Sequence, residues 1–212
     1  FLLVLFVFLR KNFSGGGPLR YILSHPPHIL NQSRKGGLLS MFRLSRKMLA
    51  VFAAATLLGA CLHFVYALFP NPVTALISPT CESLWEHLKL LFWPYLAAMC
   101  FLTRGGEKGC RAPWMLSLLL LSAAMLALGW LYHIVLGGES FGFDLCLYVV
   151  LMALGFLLPG LFSRPGVLEK SDWFFLFTIA LGAAIVLFTF LPPDLVLFAD
   201  LSGVRTWVTL PC

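Results

Sequence analysis

Long apolar segments run through most of this sequence from Met48 onward, separated by short polar connections. The chain of 212 residues is 60% hydrophobic and only 11% charged, whereas a soluble domain carries about 25% charged residues. A core of this size cannot hide so much apolar side-chain surface from water, so a large part of it must face lipid. The sequence therefore predicts an integral membrane protein whose main partner is the lipid bilayer.

Five of these segments are long enough to cross a membrane as helices. Helices are expected because an isolated strand would leave its backbone groups without hydrogen-bond partners in lipid. Pro70 and Pro72 end the first segment, Pro113 opens the third, and Pro192 stops the fifth. The expected fold class is all-α, a polytopic transmembrane helix bundle. Residues 41–203 form the membrane domain, with spans at about 48–69, 82–102, 113–136, 144–162 and 172–191.

The distribution of charge predicts how the bundle is oriented. Arg46 precedes the first span, Arg104 lies between the second and third, and Arg164 lies between the fourth and fifth. The remaining connections carry mainly acidic residues, such as Glu82 and Asp144. Because positively charged loops stay in the cytoplasm, we expect the N-terminus inside and the C-terminus outside, in a bacterial cell membrane.

Residues 1–40 differ from the rest of the chain in charge and pattern. They contain five basic residues and no acidic residue, which accounts for most of the formal net charge of +6. The basic character is therefore not spread over the chain and does not indicate a nucleic-acid partner. We interpret residues 1–40 as a non-native leader or a disordered segment before a true start at Met41, and residues 204–212 as a tail. The alternative is a cut signal peptide, for which a small-residue cleavage site is missing.

Ionisable residues gather at the predicted outer ends of three spans. At 1.5 Å per residue, His63 lies about 24 Å beyond Lys47 and His133 about 30 Å beyond Pro113. Glu82, Glu86 and His87 open the second span from the same side. Carboxylates combined with imidazoles are typical of a site for a divalent metal such as zinc or iron, with an open position for water. The candidate ligands are His63, Glu82, Glu86, His87 and His133, and Glu86 is the candidate catalytic base.

Three functions are compatible with this cluster. The first is a metal-binding or ligand-binding site at the extracytoplasmic face, which in an enzyme would support metal-assisted hydrolysis of a lipid or peptide. The second is a small proton-linked transporter or an accessory subunit, because histidine titrates near neutral pH. The third is a membrane scaffold in which these groups are hydrated at the headgroup level. HExxH, GxSxG and GxxxxGK[ST] motifs are absent, as is any CxxC pair.

Three stretches of the sequence together carry a family resemblance. They are His63–Tyr66, the run Glu82–Pro94 with its E-S-x-W-E-H-x-K pattern, and Pro192-Pro193 followed by Leu197, Phe198 and Asp200. This combination resembles a bacterial membrane-protein family known as domain of unknown function 6512, over about Met41 to Gly203. The resemblance implies a compact five-helix membrane protein and no assigned activity. Two departures from the family pattern are Asp194, in place of a histidine, and the absence of a Gly-Tyr-Gly-like ending.

Overall fold

A computed structural model of the protein describes residues 45–106 and 109–202. Within these ranges the regular structure is entirely helical, which confirms the predicted all-α class. The helices are α1 Arg46–Leu68, α2 Pro72–Ile77, α3 Leu84–Leu102, α4 Ala112–Trp130, α5 Phe141–Phe162, α6 Pro165–Leu168 and α7 Ser171–Phe190. A π-helix at Leu131–Val135 continues α4, and a 3-10 helix at Val196–Phe198 follows α7. The predicted leader, residues 1–40, and the predicted tail, residues 204–212, lie outside the described residues.

Four helices are long and apolar enough to cross a membrane: α1, α4 with its π-helical extension, α5 and α7. These helices expose large apolar side chains on their outer faces, such as Leu57 on α1, Val150 on α5 and Phe177 on α7. Exposure of such apolar surfaces on four neighbouring helices would be unfavourable in water, whereas it is favourable in lipid. The chain is therefore a multi-pass membrane protein, as predicted.

The remaining long helix, α3, occupies the centre of the bundle. It packs against α1, α4, α5 and α7, and thirteen of its 19 residues are buried. It corresponds to the predicted second span but is not among the four helices apolar enough to cross a membrane, and it contains Glu86, His87 and Lys89. A helix surrounded by other helices faces protein instead of lipid, so it can carry polar groups that find partners inside the bundle.

The short connection between α1 and α3 is folded back against both helices. Asn71 caps α2 by accepting hydrogen bonds from the amides of Val73 and Thr74, and Thr74 completes a capping box. Ser78 then donates its hydroxyl to the carbonyl of Leu62 and accepts from the amide of Tyr66, both on α1. These bonds fix the connection beside the end of α1 that carries His63.

Close packing at the centre requires a glycine on α5. A Cβ atom at Gly155 would lie 2.5 Å from the Tyr95 ring and 2.8 Å from Leu121, and both side chains are buried. The Tyr95 hydroxyl also donates a hydrogen bond of 2.6 Å to the Gly155 carbonyl. The absence of a side chain at Gly155 thus lets α5 approach α3 and α4.

Substitution of Gly155 by alanine should therefore destabilise the bundle. Overpacking a well-filled core costs about 1–3 kcal/mol, and neither Tyr95 nor Leu121 can move into open space. We expect a lower midpoint of unfolding in detergent for Gly155→Ala. Gly166→Ala is the matched control, since a Cβ there meets nothing within 4 Å. Equal unfolding midpoints for the two variants would contradict the packing role of Gly155.

Candidate functional site

A cavity of about 440 Å³ lies at the end of the bundle where α1 finishes and α3 begins. Four elements bring polar side chains to it: the last turns of α1, the residues that precede and open α3, the π-helix after α4, and the first turn of α5. Those side chains include His63, Glu82, His87, His133 and Asp144. Residues far apart in the sequence therefore meet at one end of the fold.

Glu82 lies between two histidines in this cavity. Its Oε1 atom is 3.6 Å from His63 Nε2, and its Oε2 atom is 3.3 Å from His87 Nε2. One potential ligand atom from each of the three residues lies within 4.8 Å of the other two. This His63–Glu82–His87 group can hold a metal ion.

The orientation of His87 is fixed from behind. Its Nδ1 atom lies 2.8 Å from the carbonyl oxygen of Ser83, which can only accept, so Nδ1 carries a proton and donates it. Ser83 is itself held as the N-cap of α3, where its hydroxyl accepts from the Glu86 amide. The Nε2 atom of His87 therefore faces the Glu82 carboxylate, and this contact is favourable only with a proton or a cation between the two atoms. Metal-bound histidines usually show the same arrangement, with the second nitrogen donating to a carbonyl.

His63 is held differently from His87. Its Nδ1 atom is buried and has no hydrogen-bond partner among the described residues. Ring contacts position it instead, with centroid distances of 5.1 Å to Phe64 and 5.5 Å to His87. The His63 ring can therefore adjust more easily than that of His87 when a ligand binds.

Glu82 precedes α3 and is expected to be ionised. The hydrogen bond from His87 lowers the pKa of Glu82, and this effect outweighs partial burial, which raises it. The segment after α7 returns to this point, because the Leu201 amide donates a 3.1 Å hydrogen bond to the Glu82 carbonyl. The neighbouring Asp200 is also kept ionised, since hydrogen bonds from Ser202 lower the pKa of Asp200. Two carboxylates at this end of the bundle, Glu82 and Asp200, are therefore kept ionised.

His133 lines the same cavity but has its own partners. Its Nε2 atom is 2.7 Å from Asp144 Oδ1, and its Nδ1 atom is 2.9 Å from the Gly138 carbonyl oxygen. Both ring nitrogens of His133 thus lie within hydrogen-bond distance of an oxygen, and the contact with Asp144 is the shorter of the two. The structure brings His133 to the cavity, but the group of three potential ligands is His63, Glu82 and His87 and does not include it.

Glu86 points away from this group into a separate buried network. Its Oε2 atom lies 2.5 Å from Lys89 Nζ and accepts from the amide and hydroxyl of Thr80. Lys89 is fully buried and also donates to the carbonyls of Ala75 and Ser78. Ser83 caps α3 through its hydroxyl, but the Glu86 carboxylate binds Lys89 and Thr80 and does not complete a capping box. Glu86 does not line the cavity in this arrangement.

Comparison with known proteins adds an identity to this geometry. A family model, described as a family of unknown function, matches residues 40–205. The chain belongs to the DUF6512 family. The resemblance seen in the sequence is thereby confirmed. No curated protein and no solved structure matches the chain significantly.

Two residues that make ion-pair contacts in this DUF6512 chain were not singled out from the sequence as site candidates. Asp144 was noted in the sequence only as an acidic residue of a connection between spans, yet in the structure it pairs with His133 eleven positions away. Lys89 belongs to the Glu82–Pro94 run, but no role was predicted for it. Its spacing of three residues from Glu86, which places both side chains on one helix face, could have indicated the pair. Both residues become informative only once the helices are packed.

Proposed function

We propose that this protein binds a divalent metal ion, zinc or iron(II), through His63, Glu82 and His87 at the extracytoplasmic face of the membrane. The orientation of His87 Nε2 toward Glu82 is the observation that carries this proposal, because that contact needs a cation or a proton between its atoms. Two imidazoles and one carboxylate are a ligand set suited to either metal. Three protein ligands leave a coordination position for water or a polar substrate group, and the cavity of about 440 Å³ supplies the space.

Metal analysis of the purified protein tests this function. One equivalent of zinc or iron per chain, retained through dialysis, is the expected result. Loading with either metal followed by complete loss on dialysis would contradict it. The scaffold alternative from the sequence predicts that second result.

If the metal supports a reaction, hydrolysis is the class to test, since a metal lowers the pKa of a bound water to about 7. Glu86 was the candidate general base, but its ion pair with Lys89 gives it a positioning role in this proposal. Glu139 and Asp144 are carboxylates that line the cavity, which Glu86 does not, so they replace it as candidate bases in this proposal. Activity of a metal-loaded sample toward ester or amide lipids would support the assignment.

The same proposal places α3 across the membrane as a fifth span, with the N-terminus inside. At 1.5 Å per residue, the 19 residues of α3 extend about 28 Å, close to the hydrocarbon thickness of about 30 Å. Arg46, Arg104 and Arg164 lie at helix ends opposite to the end that carries the cavity. The positive-inside rule then puts the cavity on the outer side.

Thiol labelling of single-cysteine variants checks this orientation. Cys81 directly precedes Glu82, and Cys110 lies between α3 and α4 at the opposite end; both are partly exposed. We expect a membrane-impermeant maleimide added to intact cells to label Cys81, and Cys110 only after permeabilisation. Labelling of Cys110 alone in intact cells would reverse the orientation, and labelling of both would mean that α3 does not cross.

A further inference from the structure

The cavity beside the proposed metal site changes from polar to apolar with depth. On α3, His87 is followed by Leu90, and on α5, Asp144 is followed by Leu147, each one turn further into the bundle. On α4 and its extension, His133 is preceded by Gly129 and Met125 at one and two turns. Ala60 lies one turn inside His63 on α1 in the same way.

Four helices therefore share one pattern, with an ionisable group at the end and an apolar residue below it. A site for a small hydrophilic molecule would not need an apolar floor of this depth. A cavity of about 440 Å³ falls within the range of about 300–1,000 Å³ found for ligand sites. The pattern fits a ligand that is itself polar at one end and apolar at the other.

The cavity is also accessible from the side. Phe64 on α1, and Phe141 and Leu145 on α5, line it, yet their exposed fractions are 59%, 72% and 44%. Large apolar side chains that face both the cavity and the exterior form an apolar rim between α1 and α5. A ligand that resides in the membrane can enter across such a rim without its chain passing through water.

The charge of the proposed metal site determines the chemistry of the head group. A divalent ion held by two neutral imidazoles and the single carboxylate of Glu82 leaves a net charge of +1 at the ligand group. An anionic oxygen, from a carboxylate or phosphate, would complete the coordination and neutralise this charge. A neutral head group could complete the coordination but would leave this charge in place.

We propose that this cavity binds a single-chain amphiphile from the surrounding membrane, with its acyl chain between α1, α3, α4 and α5 and an anionic head group at the metal. The position of the head group rests on the proposed metal site, whereas the position of the chain rests on the cavity lining alone. The two parts can therefore be tested separately on one sample.

Photo-crosslinking locates the chain. Zinc-loaded protein in detergent is irradiated with a palmitic acid analogue that carries a diazirine in mid-chain, and the labelled residues are mapped by mass spectrometry. We expect label on Met125 or Leu147, in the floor of the cavity, and at least a tenfold loss in Met125→Trp, which fills that floor. Leu120→Trp is the matched control, because Leu120 is on the outer face of the same helix, and it should label as the unmodified protein does.

Competition by unlabelled compounds identifies the head group. Palmitate and a monoacyl phosphatidate should strongly reduce the labelling of the cavity floor. Hexadecanol has the same chain length and no charge, and it should reduce this labelling much less. Label confined to outward residues such as Phe177, or undiminished in Met125→Trp, would overturn the proposal. If Met125→Trp shows no cooperative unfolding transition, and so does not fold, Leu147→Trp is used in its place. This substitution fills the floor from another helix. Metal content is measured on the same samples, so floor labelling in a protein that binds no metal would overturn the metal site and still support the acyl-chain cavity.

Discussion

Replacement of His87 by alanine is expected to lower the affinity for zinc or iron(II) by at least about 100-fold. Loss of an outer partner of a metal ligand already lowers affinity by about 10-fold to 100-fold, and His87 would be a direct ligand. His63→Ala should have a similar effect, since it removes the other imidazole beside Glu82. Metal content after dialysis and competition titration against a chelator of known affinity measure the change.

His133→Ala is a sharp control for this experiment. It removes the same side chain from the same cavity, but His133 is not one of the three residues whose potential ligand atoms lie together, and its Nε2 atom is 2.7 Å from Asp144 instead. We expect this variant to keep its metal within about threefold of the unmodified affinity, because screened charges near a surface contribute little. Loss of metal in His133→Ala with retention in His87→Ala would mean that the ligand group has been assigned wrongly.

The pH dependence of metal binding should report on the imidazoles. A metal requires deprotonated histidine nitrogens and an ionised carboxylate. The hydrogen bond from His87 lowers the pKa of Glu82, so this carboxylate stays ionised as the solution becomes weakly acidic. Affinity should therefore fall as pH decreases and protons compete with the metal for the imidazole nitrogens. A plateau extending down to the usual range of glutamate would exclude histidine ligands.

The helices could be located from the sequence because the apolar segments and prolines are strong local signals. The predicted segments 48–69, 82–102, 113–136, 144–162 and 172–191 agree with the long helices within three residues at each end when the π-helix is counted with α4. The π-helix that ends the third segment was not predicted from the sequence. Four of these helices are apolar enough to cross a membrane. The polar residues of the fifth, α3, are explained only by its position at the centre of the bundle.

The candidate site was predicted less completely because proximity in sequence does not determine which helix face a residue occupies. Glu86 and His87 are adjacent, yet about 100° of rotation separates their side chains. In the packed bundle, His87 faces Glu82 and the cavity, whereas Glu86 faces Lys89 and Thr80. Ionisable groups were predicted to converge at one end of the bundle, and in the structure His63, Glu82 and His87 do lie together there.

The buried pair of Glu86 and Lys89 leads to the second large effect, on stability. Lys89→Met should destabilise the folded protein by about 3–5 kcal/mol, because removing one partner leaves the other charge buried without compensation. Glu86 is only 4% exposed and Lys89 is fully buried, so water cannot replace the missing partner. The substitution also frees the carbonyls of Ala75 and Ser78, which Lys89 holds against α3. Unfolding by a denaturing detergent, followed by circular dichroism, measures the loss.

Two further variants separate the charge from its hydrogen bonds. Glu86→Gln keeps the shape of the side chain and an oxygen that accepts from Thr80, but it leaves the charge of Lys89 unpaired. This variant should therefore also be less stable than the unmodified protein. Combining Lys89→Met with Glu86→Gln removes both charges and should recover part of the loss, since a buried pair can often be replaced by neutral groups at little cost. Lys47→Met is the control, because Lys47 is exposed and its ammonium group lies over the Phe101 ring, 5.0 Å from the ring centroid. If the double variant were no more stable than Lys89→Met, the hydrogen bonds to the α1–α3 connection, and not the charge pair, would hold the site in place.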